Sequence, residues 1–105
     1  MKRYYIHKAV EIPENKDNEY AKPFRIKKAQ EMVVHSRRHH CFELILTGED
    51  ERTINYGLLG LNLQREFMSD LGVTKPEELV GREVLAYESG KYIKWISPLS
   101  SQKSL

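Results

Sequence analysis

Hydrophobic and polar residues alternate through long stretches of this chain, and a two-residue period predicts β-strands. From Arg3 to Ile12, Tyr4, Ile6, Val10 and Ile12 share one face, with Tyr5, His7 and Ala9 on the other. One strand with apolar side chains on both faces is expected there. A polar loop follows from Pro13 to Pro23. Phe24 to His35 carries two periods at once. Phe24, Ile26, Ala29, Met32 and Val33 recur at near-helical spacing, while Phe24, Ile26 and Met32 also fall on one strand face. The β-branched pair Val33-Val34 and the charge alternation of Arg25-Ile26-Lys27-Lys28 favour a long, bent strand, with the turn at residues 36–39.

The next segments are clearer. Cys41–Thr47 and Arg52–Leu58 predict a β-hairpin around Gly48-Glu49-Asp50-Glu51. Phe42, Leu44 and Leu46 line one face of its first strand, and Ile54, Tyr56 and Leu58 one face of its second. Asn62 to Leu71 predicts a helix: Leu63, Phe67 and Leu71 recur four residues apart, Asn62 can cap it and Gly72 can stop it. Thr74-Lys75-Pro76-Glu77 has the form of a capping box with proline in the first turn, so a short helical turn should run to Leu79 and end at Gly81. Arg82–Tyr87 and Lys91–Ile96 predict a second hairpin turning at Glu88-Ser89-Gly90. The expected core is Ile6, Phe42, Leu44, Leu46, Ile54, Tyr56, Leu63, Phe67, Leu71, Leu79, Val84, Leu85 and Ile93.

These elements predict a mainly β fold with one helix, built as a small five- or six-stranded antiparallel barrel. Three strands, a helix and two strands resemble the element order of an OB-type barrel, here with an added N-terminal strand. An α+β roll is the alternative. Residues 1–98 are expected to form a single domain and residues 99–105 a flexible polar tail.

Composition narrows the class. The 105 residues suit one domain, and 40% hydrophobic with 30% charged residues is a globular balance. Cys41 is the only cysteine, which rules out an intrachain disulfide. No apolar run approaches the ~20 residues of a membrane span, and charge recurs through Met1–Lys8 where a secretion signal would be apolar. A cytoplasmic setting without membrane attachment is therefore expected. The net charge is only +2, yet residues 1–40 hold ten Lys/Arg against five Asp/Glu, and residues 41–81 hold three against eight. Folding can turn such blocks into opposed faces or cancel them.

Candidate chemistry is sparse. The chain lacks a Gly-x-x-x-x-Gly-Lys phosphate loop, a Gly-x-Ser-x-Gly elbow, a Gly-x-Gly-x-x-Gly turn and a His-Glu-x-x-His metal motif, so the reading is non-catalytic and without cofactor. Cys41 has His39 and His40 as sequence neighbours, but adjacent residues on a strand point to opposite faces. His35, His39, His40 and Cys41 are zinc-type ligands without paired ligand spacing, and Arg37 and Arg38 between them would repel a cation, so no metal site is assigned. The feature that points to a partner is the interleaving of cations with aromatics in Lys2–Lys8, Phe24–Lys28 and Lys91–Trp95. Single-stranded nucleic acid is held by cations along its phosphates and aromatic faces under its bases. On this reading Lys2, Arg3, Arg25, Lys27, Lys28, Arg37, Arg38 and Lys94 contact phosphates, and Tyr5, Tyr92 or Trp95 offers the stacking platform. The alternative is an adaptor or inhibitor, of the kind found in phages and mobile elements, that docks on a protein partner through its acidic 41–81 segment and a strand edge.

Overall fold

A computed structural model describes residues 2–12, 21–34 and 39–98. Chain order is β1 (Lys2–Tyr4), β2 (Ala9–Glu11), β3 (Ala21–Val34), β4 (His39–Thr47), β5 (Thr53–Leu59), α1 (Leu61–Asp70), a 3-10 turn (Pro76–Leu79), β6 (Glu83–Ser89) and β7 (Tyr92–Pro98). The seven strands form one antiparallel sheet in the order β2-β1-β7-β6-β3-β4-β5. β2 and β5 end this order and do not pair, so the sheet is not closed into a barrel. Most of the polar loop expected after β2, residues 36–38 of the expected turn, and the expected tail at 99–105 lie outside the described residues.

The N-terminal segment departs from expectation. In place of one strand over Arg3–Ile12, the chain reverses after Tyr4, where the Tyr5 amide donates to the Lys8 carbonyl at 2.8 Å, and β2 folds back on β1. The reversal follows from competition for pairing. β1 is tied to β7 by the Tyr4–Ile96 register pair and by the Ser97 hydroxyl, which donates to the Lys2 carbonyl at 2.6 Å. Tyr56 donates its hydroxyl to the Tyr4 carbonyl at 2.6 Å, and the Leu59 amide donates to the Ile6 carbonyl at 2.8 Å. The segment thus sits at the seam between β5 and β7. Tyr4 enters the core, while Ile6, expected there, is 44% exposed.

β3 is the long strand expected, and a bulge explains its mixed periodicity. Ile26 pairs with Leu46 and Lys28 with Ile45, leaving Lys27 as the extra residue. Phe24 and Ile26 face the core before the bulge, and Ala29 packs against it afterwards. One inserted residue moves the inward set from even to odd positions. Met32 is consequently turned outward, at 43% exposure.

The β4–β5 and β6–β7 hairpins form where expected. In β6–β7 pairing reaches Ser89–Tyr92, so the turn is Gly90-Lys91. Helix α1 begins at Gly60 rather than being capped by Asn62. Gly60 takes φ +108, its amide donates to the His40 carbonyl at 2.8 Å, and no side chain caps the end. A residue free to adopt positive φ lets β5 turn directly into the helix. At the 3-10 turn, Glu78 rather than Glu77 accepts from the Thr74 and Lys75 amides, at 2.9 and 3.4 Å.

The core lies between the inner sheet face, α1 and the 3-10 turn. It includes ten of the expected residues, Phe42, Leu44, Leu46, Tyr56, Leu63, Phe67, Leu71, Leu79, Val84 and Ile93. Tyr4, Phe24, Ile26, Leu58, Met68, Val73, Ala86 and Ile96 belong to it as well. Ile54 packs at its margin, and Leu85 is half-buried on the outer face.

Candidate functional site

Binding of a single strand requires the interleaved cations and aromatics to share one face, and the outer face of the sheet is the one not covered by α1 and the 3-10 turn. Register places Ala21, Pro23 and Arg25 of β3 on the same face as Tyr87, Leu85 and Glu83 of β6, because these residues are direct partners. Phe24 and Val84, one position on, point into the core. Lys28 pairs with Ile45 on the outward side of the β3–β4 ladder.

Three candidates are drawn into the structure itself. The Lys2 ammonium lies 2.7 Å from Glu66 and 3.3 Å from Asp70, and the hydrogen bond it donates to Glu66 raises its pKa above the usual lysine value. It clamps β1 to α1, next to the Tyr4 hydroxyl on Asp70. Arg3 is 5% exposed and Trp95 2% exposed, with the guanidinium 4.2 Å from the ring centroid. Neither offers a free face to a ligand, so their expected roles in phosphate contact and base stacking are corrected to packing. The cause is burial on both sides of β7: Trp95, Ile96 and Ser97 are all buried in succession. A bulge between Tyr87–Trp95 and Glu88–Ile93 accompanies this break in alternation.

The remaining candidates are accessible to different degrees. Tyr92 is 61% exposed and Tyr5 half-buried. Lys94 is exposed, its ammonium 5.8 Å from the Tyr87 ring centroid. Lys27 and Lys28 are exposed and form no ion pair among the described residues. Arg25 is exposed, with Glu83 of the neighbouring strand at 3.9 Å. Arg37 and Arg38 lie outside the described residues. Along β3, Ala21 to Lys28 spans about 23 Å at ~3.3 Å per residue.

A groove of about 650 Å³ opens on this face, lined by Arg25, Lys27, Thr47, Glu49, Glu51 and Glu83. Cations of β3 and carboxylates of the β4–β5 tip thus face the same space. The tip is held in place: Arg52 bonds Asp50 at 2.7 Å and Glu88 of β6 at 2.6 Å. The Arg52 amide and guanidinium keep the Asp50 carboxyl below its usual range. The sequence offered the acidic 41–81 segment as a docking surface; in the fold the Arg25–Thr47 pairing brings its tip beside β3, and the Arg52–Glu88 pair ties the tip to β6.

Two polar networks were not foreseen either. Glu43 accepts from Gln30 at 2.9 Å and from Asn55 at 3.0 Å, making an outer-face ladder across β3, β4 and β5. On the inner side, buried Gln64 donates to Glu31 at 2.7 Å and bonds the His40 imidazole. His40 and Cys41 therefore occupy opposite faces. The Cys41 sulfur lies beside Gly57, where an added Cβ would come within 3.2 Å of it. Burial, then the Glu43 carboxylate, pushes its thiol pKa up, which disfavours the nucleophilic thiolate. Among the described residues, no three His, Cys, Asp or Glu side chains are grouped to hold a metal ion, and no helix is long and apolar enough to cross a membrane.

No protein-family model and no curated protein sequence is recognisably similar to this chain.

Proposed function

We propose that this chain is a non-catalytic, cytoplasmic module that binds single-stranded nucleic acid along the outer face of β3 and the β6–β7 hairpin. One observation carries the reading: Lys27, Lys28 and Lys94, none in an ion pair among the described residues, share this side of the sheet with the exposed Tyr92 ring. Phosphates would follow the lysines and Arg25 while a base stacks on Tyr92. The connectivity also suits an OB-like unit. β3 pairs with β6 through Ala21–Arg25 and with β4 through Arg25–Val34, and α1 falls between the third and fourth of the last five strands.

The test is fluorescence anisotropy with a labelled mixed-sequence oligonucleotide at two salt concentrations. Log K should fall with log salt by roughly 0.7 per neutralised phosphate. Lys27→Ala/Lys28→Ala should flatten that slope, and Tyr92→Ala should cost roughly 1–3 kcal/mol of binding. Arg37→Ala/Arg38→Ala extends the test to the β3–β4 connection. Absence of binding at low salt, or binding indifferent to salt and to these substitutions, rejects the reading. Docking on a protein partner would then take its place, favoured by the position of β5 as an end strand of the sheet.

A further inference from the structure

We infer that the acidic tip of the β4–β5 hairpin makes the site selective for single strands over duplexes. The inference rests on the nucleic-acid reading and concerns the same groove. Arg25 and Lys27 on β3 supply positive charge to one side of it, and Glu49 and Glu51 on the tip bring negative charge to the other. A single strand lays one phosphate chain along the cations and can turn its bases toward Tyr92. A duplex carries a second phosphate chain at fixed separation from the first, and that chain is brought toward the carboxylates. Like charges in salt solution repel over roughly a Debye length, about 10 Å at 0.1 M ionic strength, so the penalty applies without direct contact and is largest at low salt. The tip cannot swing away freely, because Arg52 joins it to Glu88 on β6 and to Asp50 within the loop. Glu83 acts differently. It lies beside Arg25 and weakens its pull on any phosphate, single-stranded or duplex.

The experiment compares wild type, Glu49→Gln/Glu51→Gln, Glu83→Gln and Glu77→Gln against one oligonucleotide, single-stranded and annealed, at equal salt. Glu77 is exposed and outside the groove, so its substitution reports the effect of one unit of net charge, against two units in the tip variant. All four altered carboxylates are exposed, and unchanged thermal midpoints would confirm folding. Wild type should prefer the single strand. The tip double substitution should tighten duplex binding by about tenfold and single-strand binding by at most about threefold, collapsing the preference. Glu83→Gln should tighten both by a similar factor. Equal tightening of both forms by the tip substitution, or a wild type that binds duplex as well as single strand, overturns the inference and leaves the binding function standing. Failure of every protein to bind single strand at low salt removes the binding function, and the selectivity with it.

Discussion

The two long hairpins share one sheet but follow different rules. In β4–β5, Phe42, Leu44, Leu46, Tyr56 and Leu58 are buried while the residues between them are partly or fully exposed, so burial alternates as sequence does. In β6–β7, a bulge interrupts the register and Trp95, Ile96 and Ser97 are buried in a row. Alternation reports burial faithfully where only one face is covered. Where the second face is covered too, an outward aromatic becomes packing rather than a platform.

Substitutions across the pair should expose this difference most strongly. Leu44→Ala, at a fully buried site in the regular hairpin, should cost about 2–5 kcal/mol, and Trp95→Ala about 3–5 kcal/mol despite its outward register. Tyr92→Ala, three residues away, should change stability by no more than about 0.5 kcal/mol. Denaturant midpoints for the three decide the matter. A Trp95→Ala protein as stable as Tyr92→Ala would mean that Trp95 is a surface residue after all.

The same contrast explains what could be read from sequence. The β4–β5 hairpin and the helix were legible because each buries one face and obeys one period, whereas β6–β7 was legible as a hairpin from its Glu88-Ser89-Gly90 turn signal but not in which of its residues are buried. The N-terminal hairpin was not, because Tyr5-Ile6-His7-Lys8 has no glycine or proline and the reversal is imposed by pairing with β7 and contacts to β5. β3 was legible as a strand, and the odd step from Ile26 to Ala29 on the core side is the trace of the Lys27 bulge. For the site, the exposure of Lys27 and Lys28 follows from two adjacent lysines at that bulge. The loss of Lys2, Arg3 and Trp95 from the candidate surface does not, since it depends on Glu66, Asp70 and the Arg3–Trp95 packing, all distant in sequence or cross-strand.

A pH series sharpens the comparison at the seam, where the N-terminal segment meets the regular hairpin. Burial, reinforced at Tyr4 by the Asp70 carboxylate, raises the phenol pKa values of Tyr4 and Tyr56 above the usual 10.0. A group whose folded pKa is raised stabilises fully below its unfolded pKa and loses that contribution as pH rises beyond it. Lys2 acts in the same direction, being raised from 10.5. Stability should therefore hold to about pH 9 and fall through the alkaline range. Tyr4→Phe removes one of the ionisable phenols, so thermal midpoints should decline less steeply above about pH 10 than in wild type. An equal decline in both would place the alkaline sensitivity elsewhere.

The smallest effect lies at the two tips, which use one backbone conformation with different residues. Gly90 in β6–β7 has φ +64, and Glu51 in β4–β5 has φ +65. An L-residue in this left-handed region places its Cβ against the backbone, whereas glycine has no Cβ to clash. The cost to Glu51 is opposed by the greater freedom glycine would lose on folding. Gly90→Ala should thus destabilise by about 1 kcal/mol, and Glu51→Gly should stabilise by about 0.5 kcal/mol. Nothing lies within 4 Å of a Cβ placed on Gly90, so steric contact with other elements would not account for its loss. Chemical denaturation of both variants reads the two signs directly. Destabilisation by Glu51→Gly would show that the glutamate side chain contributes more at the tip than its backbone strain removes, and the equivalence of the two turns would end at their dihedral angle.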